Sequence, residues 1–116
     1  MDQAESDDVR VLLVEDDAAL AQMYRVKLER DGYLVQVAGD GEEALRRLED
    51  ELPDLIFLDV RLPRMDGLSF LERLRASSRT RNLPVVIVSN YSEEELVERG
   101  LRLGALDYLI KSQTTP

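Results

Sequence analysis

Four short apolar runs in this 116-residue chain end on a polar group able to do chemistry: Glu15 and Asp16 after Leu12-Leu13-Val14, Asp59 after Leu55-Ile56-Phe57-Leu58, Ser89 after Val85-Val86-Ile87-Val88, and Lys111 after Tyr108-Leu109-Ile110. Any one of these is an ordinary way for a chain to leave a sheet through a polar loop. Together they amount to three carboxylates, a hydroxyl and an ammonium, all at the ends of apolar segments. Carboxylates brought within a few ångströms repel, so they either hold a proton or share a cation, and the cation is the more economical answer. Cysteine and histidine are both absent, which excludes thiolate and imidazole metal sites, Cys and His nucleophiles and Ser-His-Asp triads. An all-oxygen set with few protein ligands suits magnesium, which keeps water and bridges to phosphate. Asp17 has a simpler role, as the N-cap of a helix opening at Ala18.

The elements that carry these residues alternate. Apolar runs at 9–14, 33–38, 55–58, 85–88 and 106–110 are separated by stretches with helical spacing: Leu20, Met23, Tyr24 and Leu28; Ala44, Leu45 and Leu48; Leu68, Leu71 and Leu74; and a fourth helix from Ser92 to Leu103. Asp31-Gly32 and Gly104 read as helix stops, and Asp40-Gly41 and Pro53-Asp54 as turns. This is the pattern of an α/β fold, a parallel sheet covered by helices. A doubly wound five-stranded sheet of this size commonly takes the flavodoxin-like order 2-1-3-4-5, with its ligand site beyond the carboxyl ends of the strands where strands one and three diverge. The polar groups named above all fall on that edge.

Composition narrows the function. Hydrophobic residues make up 44% and charged residues 34%, enough apolar content for one globular domain. A net charge of −9 is the wrong sign for neutralising nucleic-acid phosphates, so no direct nucleic-acid partner is expected. No apolar run approaches the ~20 residues of a membrane span, and the polar stretch 1–8 has no export signal, so the expected location is cytoplasmic.

The stretches Leu12-Leu13-Val14-Glu15-Asp16-Asp17, Pro53-Asp54-Leu55-Ile56-Phe57-Leu58-Asp59, Leu62-Pro63-Arg64-Met65-Asp66-Gly67, Pro84-Val85-Val86-Ile87-Val88-Ser89 and Gly104-Ala105-Leu106-Asp107-Tyr108-Leu109-Ile110-Lys111 resemble, in order and in register, the receiver domains of two-component response regulators. The resemblance implies that residues 9–116 form a receiver domain preceded by a polar extension, residues 1–8. It implies that Asp59 is the phosphoacceptor, that Glu15, Asp16, Asp59 and the backbone carbonyl of Arg61 hold Mg2+, and that Ser89 and Lys111 bind phosphoryl oxygens. Ser89 and Tyr108 match the switch pair; the simpler role for Tyr108 is to fill the sheet margin. The implied partners are a histidine kinase or histidine phosphotransfer protein and a further protein downstream. Such a domain is not an enzyme in the ordinary sense, although it promotes its own phosphorylation and dephosphorylation.

Some positions depart from the commonest pattern of the family. Asn90 stands where a small Ala or Gly is usual and is expected to narrow access to the phosphoryl group, and the resemblance puts Arg61 at a position facing the site, where a long cation is expected to alter phosphoryl lifetime. Ser112 replaces the proline that usually follows the lysine, which removes the usual reason for a cis peptide there. Thr115-Pro116 reads as the start of a fifth helix, the final helix that receivers carry and that is missing here. Its loss is expected to bare apolar surface on strands one and five and to favour self-association. Two other readings remain: a receiver that has lost its chemistry and serves as a docking module, and a magnesium-dependent aspartyl phosphohydrolase of the haloacid-dehalogenase type. The second would need an acid two positions after Asp59, where the chain has Arg61.

Overall fold

The computed structural model describes residues 8–60, 62, 65–89 and 94–110. Its elements run β1 (Arg10–Val14), α1 (Ala18–Arg30), β2 (Leu34–Ala38), α2 (Gly41–Asp50), β3 (Leu55–Leu58), α3 (Gly67–Ala76), β4 (Val85–Ser89), α4 (Glu94–Arg102) and β5 (Asp107–Ile110). The five strands pair in parallel in the order β2-β1-β3-β4-β5. Fold class, strand order and direction are those the alternation of apolar runs implies, and no helix follows β5 among the described residues. Nor is any described helix long and apolar enough to cross a membrane.

Parallel strands covered on both faces need apolar side chains at successive positions, and β1 meets that demand: Val11, Leu12, Leu13 and Val14 are all buried. Leu12 and Val14 face the larger cluster, where Ile56, Leu58, Val85, Ile87 and Tyr108 meet Ala44 and Leu48 of α2 and Leu68, Phe70, Leu71 and Leu74 of α3. Val11 and Leu13 face a smaller cluster with Val35, Ala21, Tyr24 and Leu28, closed by α1. Burying a side chain such as Phe70 stabilises by about 1.5–3 kcal/mol.

The helix ends follow the sequence signals. Asp17, Asp40 and Asp66 cap α1, α2 and α3, their carboxylates accepting from Leu20, Glu43 and Ser69 N–H respectively. At Asp40 the arrangement is reciprocal, because Glu43 Oε1 accepts from Gly39 N–H at 2.8 Å. Gly32 and Gly104 take positive φ, +99° and +87°, and each ends its helix with paired backbone bonds: Gly32 and Tyr33 to Glu29 and Leu28, Gly104 and Ala105 to Leu101 and Gly100.

Two expectations need correction. Strand one is not bare, since α1 buries Val11 and Leu13 from one side while the larger cluster takes Leu12 and Val14. The half-open positions on the α1 side of the sheet are instead Leu55 and Phe57 of β3, Val86 of β4 and Leu109 of β5. The last strand begins at Asp107, not Leu106: Leu106 N–H still bonds Val85 O at 2.7 Å, but its side chain is 67% exposed. Ser92, the expected start of the fourth helix, and Thr115-Pro116 lie outside the described residues.

Candidate functional site: an acidic rim at the strand ends

The ladders of β1 continue one residue past the strands. Glu15 N–H donates to Ala38 O and Asp59 N–H donates to Val14 O, both at 3.0 Å. The backbone of each acidic residue is therefore still registered by the sheet at the point where its side chain leaves the apolar interior. Glu15 is 4% exposed and Asp59 7%, whereas Asp16 is open to solvent. One carboxylate oxygen from each of the three lies within 4.8 Å of the others. Asp17 N–H donates to Glu15 Oε2 at 3.1 Å, so the residue that caps α1 also orients the Glu15 carboxylate.

Three carboxylates this close repel one another when all are ionised, and a cation shared between them offsets that cost. The donor set is all oxygen, two ligands fixed by the sheet edge and one reachable from water, and it fits a hard divalent ion that keeps part of its hydration shell. Glu15, Asp16 and Asp59 are the residues that would hold it.

The register Leu58↔Ile87 places Ser89, fully buried, on the neighbouring strand at the same edge. Tyr108 is not a margin residue. It is 9% exposed, inside the larger core cluster, and a Cβ placed on Gly100 would lie 3.4 Å from its Cδ2 and 2.6 Å from Ile87 Cδ1. Arg61, Asn90 and Lys111, like Ser112, lie outside the described residues.

Gly67 was legible in the sequence only as a loop glycine. A Cβ there would fall 2.2 Å from Asp59 O and 2.8 Å from Val60 Cα, and Gly67 N–H donates to Val60 O at 2.7 Å. The first residue of α3 thus lies directly against the Asp59–Val60 peptide, a closeness only glycine permits.

Residues 11–116 match the family described as the response regulator receiver domain. The chain belongs to that family. It is 39% identical over 107 residues to the phosphate regulon transcriptional regulatory protein PhoB of Rhizobium meliloti (strain 1021), a match covering 92% of this chain and 47% of that protein. The chain therefore spans about half the length of the curated relatives it matches. Among solved structures, a putative response regulator from Chloroflexus aurantiacus J-10-fl superposes with a TM-score of 0.86 at 35% identity, over 91% of this chain and 87% of the other. The Mn(2+)-bound form of the response regulator Rcp1 gives 0.84 at 27% identity, over 91% and 83%. The receiver is thus a signalling domain of two-component response regulators, and its acidic rim lies where such a sheet presents its ligand edge.

Proposed function

We propose that this domain takes a phosphoryl group onto Asp59 from a histidine kinase or histidine phosphotransfer protein and uses it to alter a surface read by a further protein. The observation that carries the reading is the buried Asp59 carboxylate, fixed by the sheet edge and grouped with Glu15 and Asp16 within 4.8 Å. In the transfer, an Asp59 Oδ forms a bond to phosphorus while the bond from phosphorus to the donor imidazole nitrogen breaks, and its electron pair leaves with the imidazole, which takes a proton. Asp59 supplies the nucleophile, the sheet edge holds it in place, and Asp16 faces the water from which the donor arrives. A magnesium ion held by Glu15, Asp16, Asp59 and the carbonyl of Arg61 would offset the charge that gathers on the transferred group; the manganese-bound relative Rcp1 supports a divalent ion in that role.

In this reading Lys111 and Ser89 engage phosphoryl oxygens, and Arg61 and Asn90 set how readily water reaches them. Ser89 is buried at the end of β4, so drawing its hydroxyl to a new acceptor disturbs packing close to Tyr108, which shares the core beside Ile87. A cytoplasmic location belongs to the same reading. So does self-association through the half-open positions Leu55, Phe57, Val86 and Leu109, which a monodisperse monomer in sedimentation at millimolar concentration would remove.

The test is intact-mass spectrometry after incubation with phosphoramidate, a small donor with a phosphorus–nitrogen bond. Wild type is expected to gain one phosphoryl group only when magnesium is present, and Asp59→Asn none. Equal labelling of the two proteins would overturn the assignment, and no labelling of either would favour the docking-module reading.

A further inference from the structure

The opposite end of the sheet carries an arrangement that the rim chemistry does not use. Arg75, in the last turn of α3, donates from Nε to Leu103 O at 2.7 Å, from Nη1 to Arg81 O at 3.0 Å and Leu83 O at 2.9 Å, and from Nη2 to Gly104 O at 3.3 Å. Its planar fork presents donors along several edges at once, so one side chain can hold several carbonyls, which an ammonium cannot do in the same geometry. Burial pushes the guanidinium's pKa below its ordinary value.

The four carbonyls belong to two connections. Arg81 and Leu83 lead into β4, and Leu103 and Gly104 lead from α4 into β5. The second is the turn in which α4 stops, with Gly104 at φ +87° and its Cα face close enough that a Cβ would lie 3.3 Å from Arg75 Nε. One turn earlier, Gly100 is buried and lets the helix back sit against Ile87 and Tyr108. Arg99 Nη2 meets Glu72 Oε2 of α3 at 3.1 Å, an exposed pair of small weight. All these ties fall within residues 99–104. Toward the other end of α4, Glu94 and Glu95 are exposed, and the half-buried Leu96 and Val97 rest against the larger core cluster without a hydrogen bond of their side chains.

We propose that Arg75 is the fixed pivot of the switch: it holds the N-terminal ends of β4 and β5 and the C-terminal end of α4, so that a rearrangement starting at Ser89 tilts the N-terminal turns of α4 about Gly100. The inference rests on the reading of the rim as a phosphorylated site. Its physical basis is that sliding α4 as a rigid body would pull Leu103 and Gly104 away from Arg75, breaking the bonds at 2.7 and 3.3 Å, whereas tilting about Gly100 breaks neither. Among the described residues the helix is held by hydrogen bonds at one end and by the half-buried Leu96 and Val97 against the core toward the other, so it can act as a lever, and small displacements at the rim become larger ones at its N-terminal turn.

Amide hydrogen exchange on the full chain, with and without beryllofluoride and magnesium, tests this. In wild type, beryllofluoride is expected to change protection at residues 94–97 by more than about tenfold and at 100–106 by less than about twofold. In Arg75→Met and Arg75→Lys, protection at 103–106 is expected to fall about tenfold before any beryllofluoride is added, and the response to beryllofluoride to spread along the whole helix. Equal changes at the two ends of α4 in wild type would overturn the pivot, an outcome that needs no variant to fold. So would unaltered protection at 103–106 in Arg75→Met. Identical wild-type and Asp59→Asn traces would remove the reading of the rim and the pivot with it, a result distinct from a wild-type response that is merely uniform.

Discussion

The two ends of this sheet solve opposite problems. At the carboxyl edge, Glu15, Asp16 and Asp59 bring three like charges within 4.8 Å, an arrangement suited to a shared cation. At the amino edge a single guanidinium is met by four backbone carbonyls, so donors and acceptors are matched within the chain. The difference teaches where to look for function in such a fold. The end where one guanidinium gathers backbone carbonyls holds the structure, and the end where carboxylates are gathered suits a cation and a ligand, at some cost in stability.

The largest expected effect lies where the rim depends on its scaffold. Gly67→Ala places a Cβ against Asp59 O and Val60 Cα, and overpacking against backbone should destabilise by about 3 kcal/mol. Urea unfolding measures it, and an unchanged midpoint would show that the approach of α3 to Asp59 is not a constraint. At the other end, Arg75→Met removes a charged donor from four carbonyls and should cost about 1.5–3 kcal/mol, the range for hydrogen bonds to an ionised group. A loss there smaller than that of an exposed substitution such as Leu106→Ser would erase the contrast between the two ends.

Smaller effects sharpen the contrast. Magnesium at roughly ten times its dissociation constant should stabilise the protein by about 1.4 kcal/mol. Asp16→Ala should abolish that gain and Lys111→Ala should retain it, because an ammonium cannot ligate a cation; calorimetry showing both variants equally insensitive to magnesium would contradict the division of roles. The smallest prediction has the opposite sign. Without magnesium, Asp16→Asn relieves repulsion and should raise the thermal midpoint by about 1–3 °C, whereas a lowered midpoint would mean that the crowded rim is not strained.

Much of this was legible in the sequence because it depends on local signals. Period and punctuation gave the strands, and Asp17, Asp31-Gly32 and Gly104 gave helix ends through cap chemistry that acts within a few residues. Glu15, Asp16 and Asp59 could be gathered because parallel strands deliver their carboxyl ends to one edge. What escaped depends on distance along the chain. Gly67 matters through a contact with Asp59 and Gly100 through one with Ile87 and Tyr108, and nothing in a glycine's neighbours announces which backbone it touches. Arg75 looked like one cation among the charged residues of a helix, since its acceptors at 81, 83, 103 and 104 become neighbours only in the fold. The placement of bare surface on strand one was wrong for a related reason: which half of the sheet α1 covers is decided by packing and not by the alternation of apolar runs.

The most direct measurement is the position of the phosphoryl group itself. Wild-type protein treated with acetyl phosphate and magnesium, then cleaved and mapped by tandem mass spectrometry, should carry the group on Asp59 alone, with chelation of magnesium removing the signal. A phosphoryl group mapped to another residue, or one that persists in Asp59→Asn, would contradict the account.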